Sequence, residues 1–455
     1  MSDDLASRKL RELNHKAHAL DAELIEWQNR SDEVHDPFAR HHSQIRRVIK
    51  LLAPLRAMIG ERIDTGATKN RTLANCRAAE QAMLALHRIW EFFRAKYAQR
   101  NEPLYKEFLD IADEFAWECY APVRKHALSD PGDERFKEPP LVFFNGGLSP
   151  FAVARGRAFR VEDVPGEALS GPLLQSIISS LPVPVVGVPY FQVKHLPDAL
   201  VIGHEVGHLI AEDFKLMEPL KSILGQSGID ETHRVAWESW LSEIFADLYG
   251  CLCSGPAFVG SLIDFLLAER SRIVADTRNE GDWGAYPTDY LRVLFNLEAL
   301  TLLDFDEERQ AIEALWRATY SEHAMTAYEQ DIPRIVHALL NEPIPPLKNG
   351  SLKKIINFSR AQHNDALQTV AQASAKSEIT SSEIRPLFAA IRLLFEQAPE
   401  EFASTFPYLT KRINKVLTPQ LRASEPPLSE EEEARRAETD MRTGEKLAAR
   451  VMDLL

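Results

Sequence analysis

The chain has 455 residues, 45% of them hydrophobic and 26% charged, which excludes wholesale disorder and leaves room for two to four domains with a sizeable core. Lys and Arg number 53 against 67 Asp and Glu, a net charge of −14, and that field repels nucleic acid and anionic lipid, so neither is expected as a partner. Four scattered cysteines are too few for a disulfide framework. The N-terminus "MSDDLASRKL" lacks an apolar signal core, no apolar run reaches membrane length, and a cytoplasmic location is expected.

The first part of the chain reads as helical. Leu10, Leu13, Ala17, Leu20, Leu24 and Trp27 recur at alternating three- and four-residue steps, which draws one apolar seam along a helix. "SDEVHDP" breaks it, and two further helical stretches follow, "ARHHSQIRRVIKLLAPLRAMIGERI" and "CRAAEQAMLALHRIWEFFRAKY". Residues 1–130 are therefore expected to form a helical hairpin or bundle, packing within the chain or serving as an arm for a protein partner.

Near "HALSDPGDERFKEPP" the character changes. "LVFFNGGLSPFAV" and "LPVPVVGVPYF" carry β-branched and aromatic residues between Gly and Pro, the pattern of a few short strands. The prolines of the second run predict an edge strand, and "FNGGLSP", which lacks the Walker pattern, predicts a tight turn. From about residue 196 the pattern is helical again. "NEPIPPLKNG" reads as a linker, and "LSEEEEARRAETDMRTGEKLAARVMDLL" as a solvated helix or loose end. The divisions expected are 1–130, 131–330 and 331–455.

Chemistry concentrates in "LVIGHEVGHLIAEDF", residues 200–214. His204 and His208 are four residues apart, so on a helix both emerge from one face and can share a zinc ion, with Glu205 as general base. Gly203 and Gly207 each cost about 1 kcal/mol relative to alanine in a helix, which points to a backbone pressed close to another element. The apolar flanks make unpaired charge expensive there, and a metal relieves that cost. A metzincin continuation is excluded, because Ala211 and Phe214 stand where its Gly and His belong. Downstream, "WESWLSEIFADLYG" places Glu243 and Asp247 one helical turn apart. His233 and Glu238 are rivals for a third ligand position, and Cys251-x-Cys253 reads as core before metal site.

"HEVGH" followed by "EIFAD" resembles the gluzincin branch of the zincin metallopeptidases, over about 50 residues. The resemblance implies a predominantly α fold with a small β-sheet, a zincin-like α+β core over residues 131–330 flanked by helical extensions, and a substrate-binding edge strand before the first helix. It implies one Zn²⁺ per chain held by His204, His208 and Glu243, with Asp247 orienting a ligand histidine, His204 foremost. Glu205 would act as general base in hydrolysing a peptide bond of an intracellular protein or peptide. Glu243 lies 35 positions after His208, a wider spacing than in the family's familiar members. In "GAYPTDYLRVLFNL", Tyr286 and Arg292 are candidate donors to the oxyanion, Arg292 alternatively a grip for a substrate carboxylate, with Tyr290 behind them. His195 reads as a solvent-facing or capping residue. The competing reading is a non-catalytic helical scaffold with a structural or vestigial zinc site, against which an intact Glu205 stands.

Overall fold

In the computed structural model, residues 4–68, 73–127, 137–154, 182–193, 195–274, 283–321, 325–421 and 428–453 are described. The protein is predominantly helical, with one three-stranded sheet among the described residues. Its contacts gather the chain into two units, Met1–Asp110 with Asp130–Val188 and Thr418–Leu455, and Ile111–Ser129 with Pro189–Leu417. Among the described residues no helix is long and apolar enough to cross a membrane.

The first unit is built on α1 (Leu5–Asp32), α2 (His42–Thr68) and α3 (Leu73–Ala98). Asp4 caps α1 by accepting from the Ser7 N–H at 2.7 Å, satisfying one of the donors a helix start leaves open. The expected seam faces inward. Leu10, Leu13, Leu20, Leu24 and Trp27 are buried, Ala17 packs on the same core, and Trp27 stacks on Phe38 with ring centroids 4.3 Å apart. Helix α4 (Pro103–Ala127) contributes its first turns to this unit and the remainder to the other.

The sheet contains β1 (Leu141–Asn145), β2 (Phe151–Val153) and β3 (Val185–Pro189) in the order β1-β3-β2. Asn145 Oδ1 accepts from the Gly147 N–H at 2.5 Å, which makes the expected turn after β1. The expectation of an edge strand for "LPVPVVGVPYF" is corrected: β3 is central, paired antiparallel with β2 and flanked by β1 on its other side. Pro184 lies just outside β3 and Pro189 is its last residue, so residues 185–188 keep every N–H for the ladder.

The three consecutive divisions read from the sequence also differ from the observed units. The last long helix, numbered α15 in chain order (Glu430–Asp453), belongs to the first unit, where Leu447, Ala448 and Val451 join the core of α1–α3. A side chain at Gly444 would come within 2.5 Å of the Leu51 carbonyl oxygen, so glycine is what lets α15 lie against α2. Arg47 Nε donates to Asp440 at 2.8 Å across the same contact.

The second unit is mostly helical in its described residues, with an isolated β-bridge between Ile344 and Gly350. It contains α5 (Ile202–Asp213), α6 (Met217–Gln226), α7 (Arg234–Ser254), α8 (Pro256–Leu266), α9 (Asp289–Leu302), α10 (Asp306–Thr319), α11 (Ile332–Asn341), α12 (Arg360–Ser374), α13 (Ile384–Gln397) and α14 (Pro399–Val416), with shorter turns between. Helix α7 is buried nearly all round, as expected of a central helix whose apolar residues form no single stripe. Phe115 stacks on Phe388 at 4.3 Å, and Tyr249 of α7 donates to the Cys119 carbonyl at 2.7 Å.

Candidate metal centre

The two glycines of α5 explain how it meets α7. A Cβ on Gly203 would lie 3.3 Å from Gly250 Cα, and one on Gly207 would lie 2.9 Å from both Ala246 Cα and Tyr249 Cβ. The helices therefore touch backbone to backbone, as the sequence expectation of a close approach required. His204 and His208, one turn apart on α5, face Glu243 and Asp247, one turn apart on α7.

The three donors converge. His204 Nε2 is 3.1 Å from His208 Nε2 and 3.4 Å from Glu243 Oε2, and His208 Nε2 is 3.5 Å from Glu243 Oε1. Among the described residues this is the group that could hold a metal ion, with ligand atoms all within 4.8 Å of one another. Two atoms each bonded at about 2.0–2.1 Å to a tetrahedral zinc stand about 3.3–3.4 Å apart, close to the spacings seen. Glu243 Oε2 is buried and, apart from the 3.4 Å approach of His204 Nε2, makes no hydrogen bond, an arrangement that a metal cation would relieve. The residues present thus fit a zinc ion.

Asp247, 1% exposed, fixes the first histidine. Its Oδ1 is 2.8 Å from His204 Nδ1, which leaves Nε2 turned toward the other two donors. Ser242 Oγ lies 3.4 Å from His208 Nδ1 and supports the second ring more weakly. With the site free of metal, burial disfavours a charged His204, but Asp247 and Glu243 outweigh it and raise its pKa from 6.5 to about 10. Burial likewise raises Glu243, and the two histidine rings overcome it and hold the carboxylate well below its usual range.

Glu205 differs from its neighbours. It is 6% exposed and makes no hydrogen bond or ion pair with a described residue. Burial is the main cause of its raised pKa, with the two histidines opposing and Glu243 adding to it. Glu205 is therefore a buried carboxylate of raised proton affinity within electrostatic reach of the candidate donor cluster.

The remaining candidates separate. Tyr286 is 51% exposed, and its hydroxyl is pushed up to about 12, first by burial and then by Glu243 and Glu205. Those two carboxylates put Tyr286 within electrostatic reach of the cluster. Arg292 faces elsewhere than expected: it is buried, and Nε and Nη2 donate to Asp247 Oδ2 and Oδ1, both at 2.8 Å. That bidentate pair turns Nε and Nη2, two of the expected donors to substrate, to the Asp247 carboxylate instead. Tyr290 pairs its hydroxyl with Arg317 at 3.4 Å. His233 Nδ1 donates to Asp331 Oδ2, 2.7 Å away, its ring stacks on Tyr328 at 4.0 Å, and it lies outside the donor cluster. Glu238 also lies outside the donor cluster. His195 sits 3.4 Å from Asp198 and edge-on to Phe395. Cys251 and Cys253 are buried and belong to no such cluster among the described residues.

Two features had no signal in the residue spacing. Ser242 precedes Glu243 and is an ordinary helix residue by pattern. Trp283 and Gly284 fasten the segment that carries Tyr286, since their carbonyls accept from Trp240 Nε1 at 2.9 Å and Ser239 Oγ at 2.6 Å. Comparison with protein-family models, curated proteins and solved structures finds no match to this chain.

Proposed function

We propose that the chain is a zinc-dependent metallopeptidase of the gluzincin type, with its zincin-like core around α5 and α7. The observation that carries this reading is the convergence of His204, His208 and Glu243, from two helices, to within 4.8 Å. Bound there, zinc would act as a Lewis acid toward water and toward the carbonyl of a scissile amide. The chain's own residues supply the rest. Glu205 takes a proton onto its carboxylate from the attacking water and returns it to the leaving nitrogen, so one group serves as base and then acid. Asp247 keeps the His204 proton on Nδ1 and Nε2 available as a ligand. Tyr286 donates its hydroxyl to the oxygen on which charge develops. The substrate is a protein or peptide.

Glu205, buried and without a hydrogen bond or ion pair among the described residues, favours catalysis over a structural site, which has no use for a buried base. Glu205→Gln keeps size and hydrogen-bonding reach but cannot take up the proton. Its zinc content and melting temperature should match wild type, while cleavage of a fluorogenic peptide library falls by about 10²–10⁴-fold. Cleavage by Glu205→Gln at the wild-type rate would sink the mechanism.

A further inference from the structure

Arg292 is buried, and its guanidinium is held by Asp247, which itself touches the proposed ligand His204. Asp247 Oδ1 meets both His204 Nδ1 at 2.8 Å and Arg292 Nη2 at 2.8 Å, while Oδ2 meets Arg292 Nε at 2.8 Å. A carboxylate can rotate about its bond to Cβ. One held at both oxygens by a planar guanidinium cannot turn without breaking two charge-assisted hydrogen bonds. The arginine is itself fixed. It lies in the first turn of α9, where Thr288 caps the helix, its carbonyl accepts from Asn296 Nδ2 at 2.9 Å, and its guanidinium stands 5.6 Å from the Tyr286 ring centroid. Asp247, Arg292 and His204 are 1%, 5% and 6% exposed, so water does not substitute for a lost contact.

We infer that Arg292 is a positioning residue for the metal, acting through Asp247: it sets the plane of the Asp247 carboxylate, which in turn aims the His204 ring at the donor cluster. This rests on the proposed metal site. It makes zinc affinity depend on α9, which contributes no ligand, and joins the ligand helices to the element that follows Tyr286. A lysine at 292 keeps the charge but presents a point donor that cannot hold both oxygens in one plane, so the conservative change should itself be damaging.

The test is zinc affinity of the full chain, measured by competition with a chromophoric chelator, together with the visible spectrum of the Co²⁺-substituted protein. Arg292→Lys and Arg292→Gln should each weaken zinc binding by about 10-fold and Asp247→Asn by about 10–100-fold, with circular dichroism unchanged and the cobalt bands of the arginine variants altered. Since Arg292 acts through Asp247, the double variant Asp247→Asn/Arg292→Gln should bind no more weakly than Asp247→Asn alone. Two results would overturn the inference: Arg292 variants that bind zinc as wild type does while His204→Ala abolishes binding, or losses that multiply in the double variant. If His204→Ala and Glu243→Ala both bind zinc like wild type, the metal site itself is refuted. Should Arg292→Gln not fold, Arg292→Lys, which retains the charge and much of the stem, decides the matter alone.

Discussion

At the scale of single residues, the proposed centre would set protons and a metal in competition for the same nitrogens. With no metal bound, His204 has its pKa raised from 6.5 to about 10 by Asp247 and Glu243 against the cost of burial. A group raised on folding contributes stability that is complete below its unfolded pKa and lost as pH climbs through its folded one. Glu243 is shifted the other way, so its contribution is complete above 4.5 and lost as pH falls. The cluster therefore supports the metal-free protein most fully between 4.5 and 6.5. In chelator-stripped protein, wild type should melt above His204→Gln in that window, and the gap should close as pH approaches 10. A gap that widens with pH would contradict the assignment. Zinc requires the deprotonated ring, so its affinity should rise over the same interval. The histidines, Glu205, Glu243 and Asp247 were legible in the sequence because a helix repeats every 3.6 residues and fixes which side chains share a face. Arg292 was legible as a polar residue returning to the site but its contact with Asp247 was not, since nothing in local spacing shows which carboxylate a guanidinium 45 positions away will meet.

At the scale of elements, the site depends on how closely α5 lies against α7. Gly207 was legible as a cost that some contact had to repay, and the contact is with Ala246 and Tyr249, each 2.9 Å from where a Cβ would sit. Alanine there would gain about 1 kcal/mol of helix propensity but force the helices apart or their side chains off their rotamers. Gly207→Ala should therefore be destabilising by about 1–3 kcal/mol net and should weaken zinc binding. Gly60 of α2 is the control, because a Cβ there meets nothing within 4 Å, so Gly60→Ala should stabilise by up to about 1 kcal/mol. Urea unfolding of both variants tests this, and a Gly207→Ala protein more stable than wild type would show that the helices are not in backbone contact. The strand β3 shows the opposite limit of sequence reading. Its prolines predicted an edge, yet they fall at its ends, and whether a proline interrupts a ladder depends on a register that composition does not carry.

At the scale of the whole molecule, the long helices of the N-terminal region were legible from their apolar seams, whereas the partners of those seams were not. Leu447 and Val451 of α15 complete the core formed by α1, α2 and α3, a contact spanning most of the chain. The charged face of α15 is what made it read as a solvated end, and only its narrow apolar face, opened by Gly444, reveals that it packs. The candidate centre lies wholly within the second unit, on helices from residues 202 to 302. Every step proposed for the site requires that unit to bind a metal through His204, His208 and Glu243. The most direct test is metal analysis by mass spectrometry of the purified full chain, of Glu243→Ala and of His233→Ala. Wild type and His233→Ala should each carry about one zinc per chain, the number expected of a single site with three side-chain ligands, and Glu243→Ala should lose most of it. Zinc retained by Glu243→Ala and lost from His233→Ala would contradict the assignment.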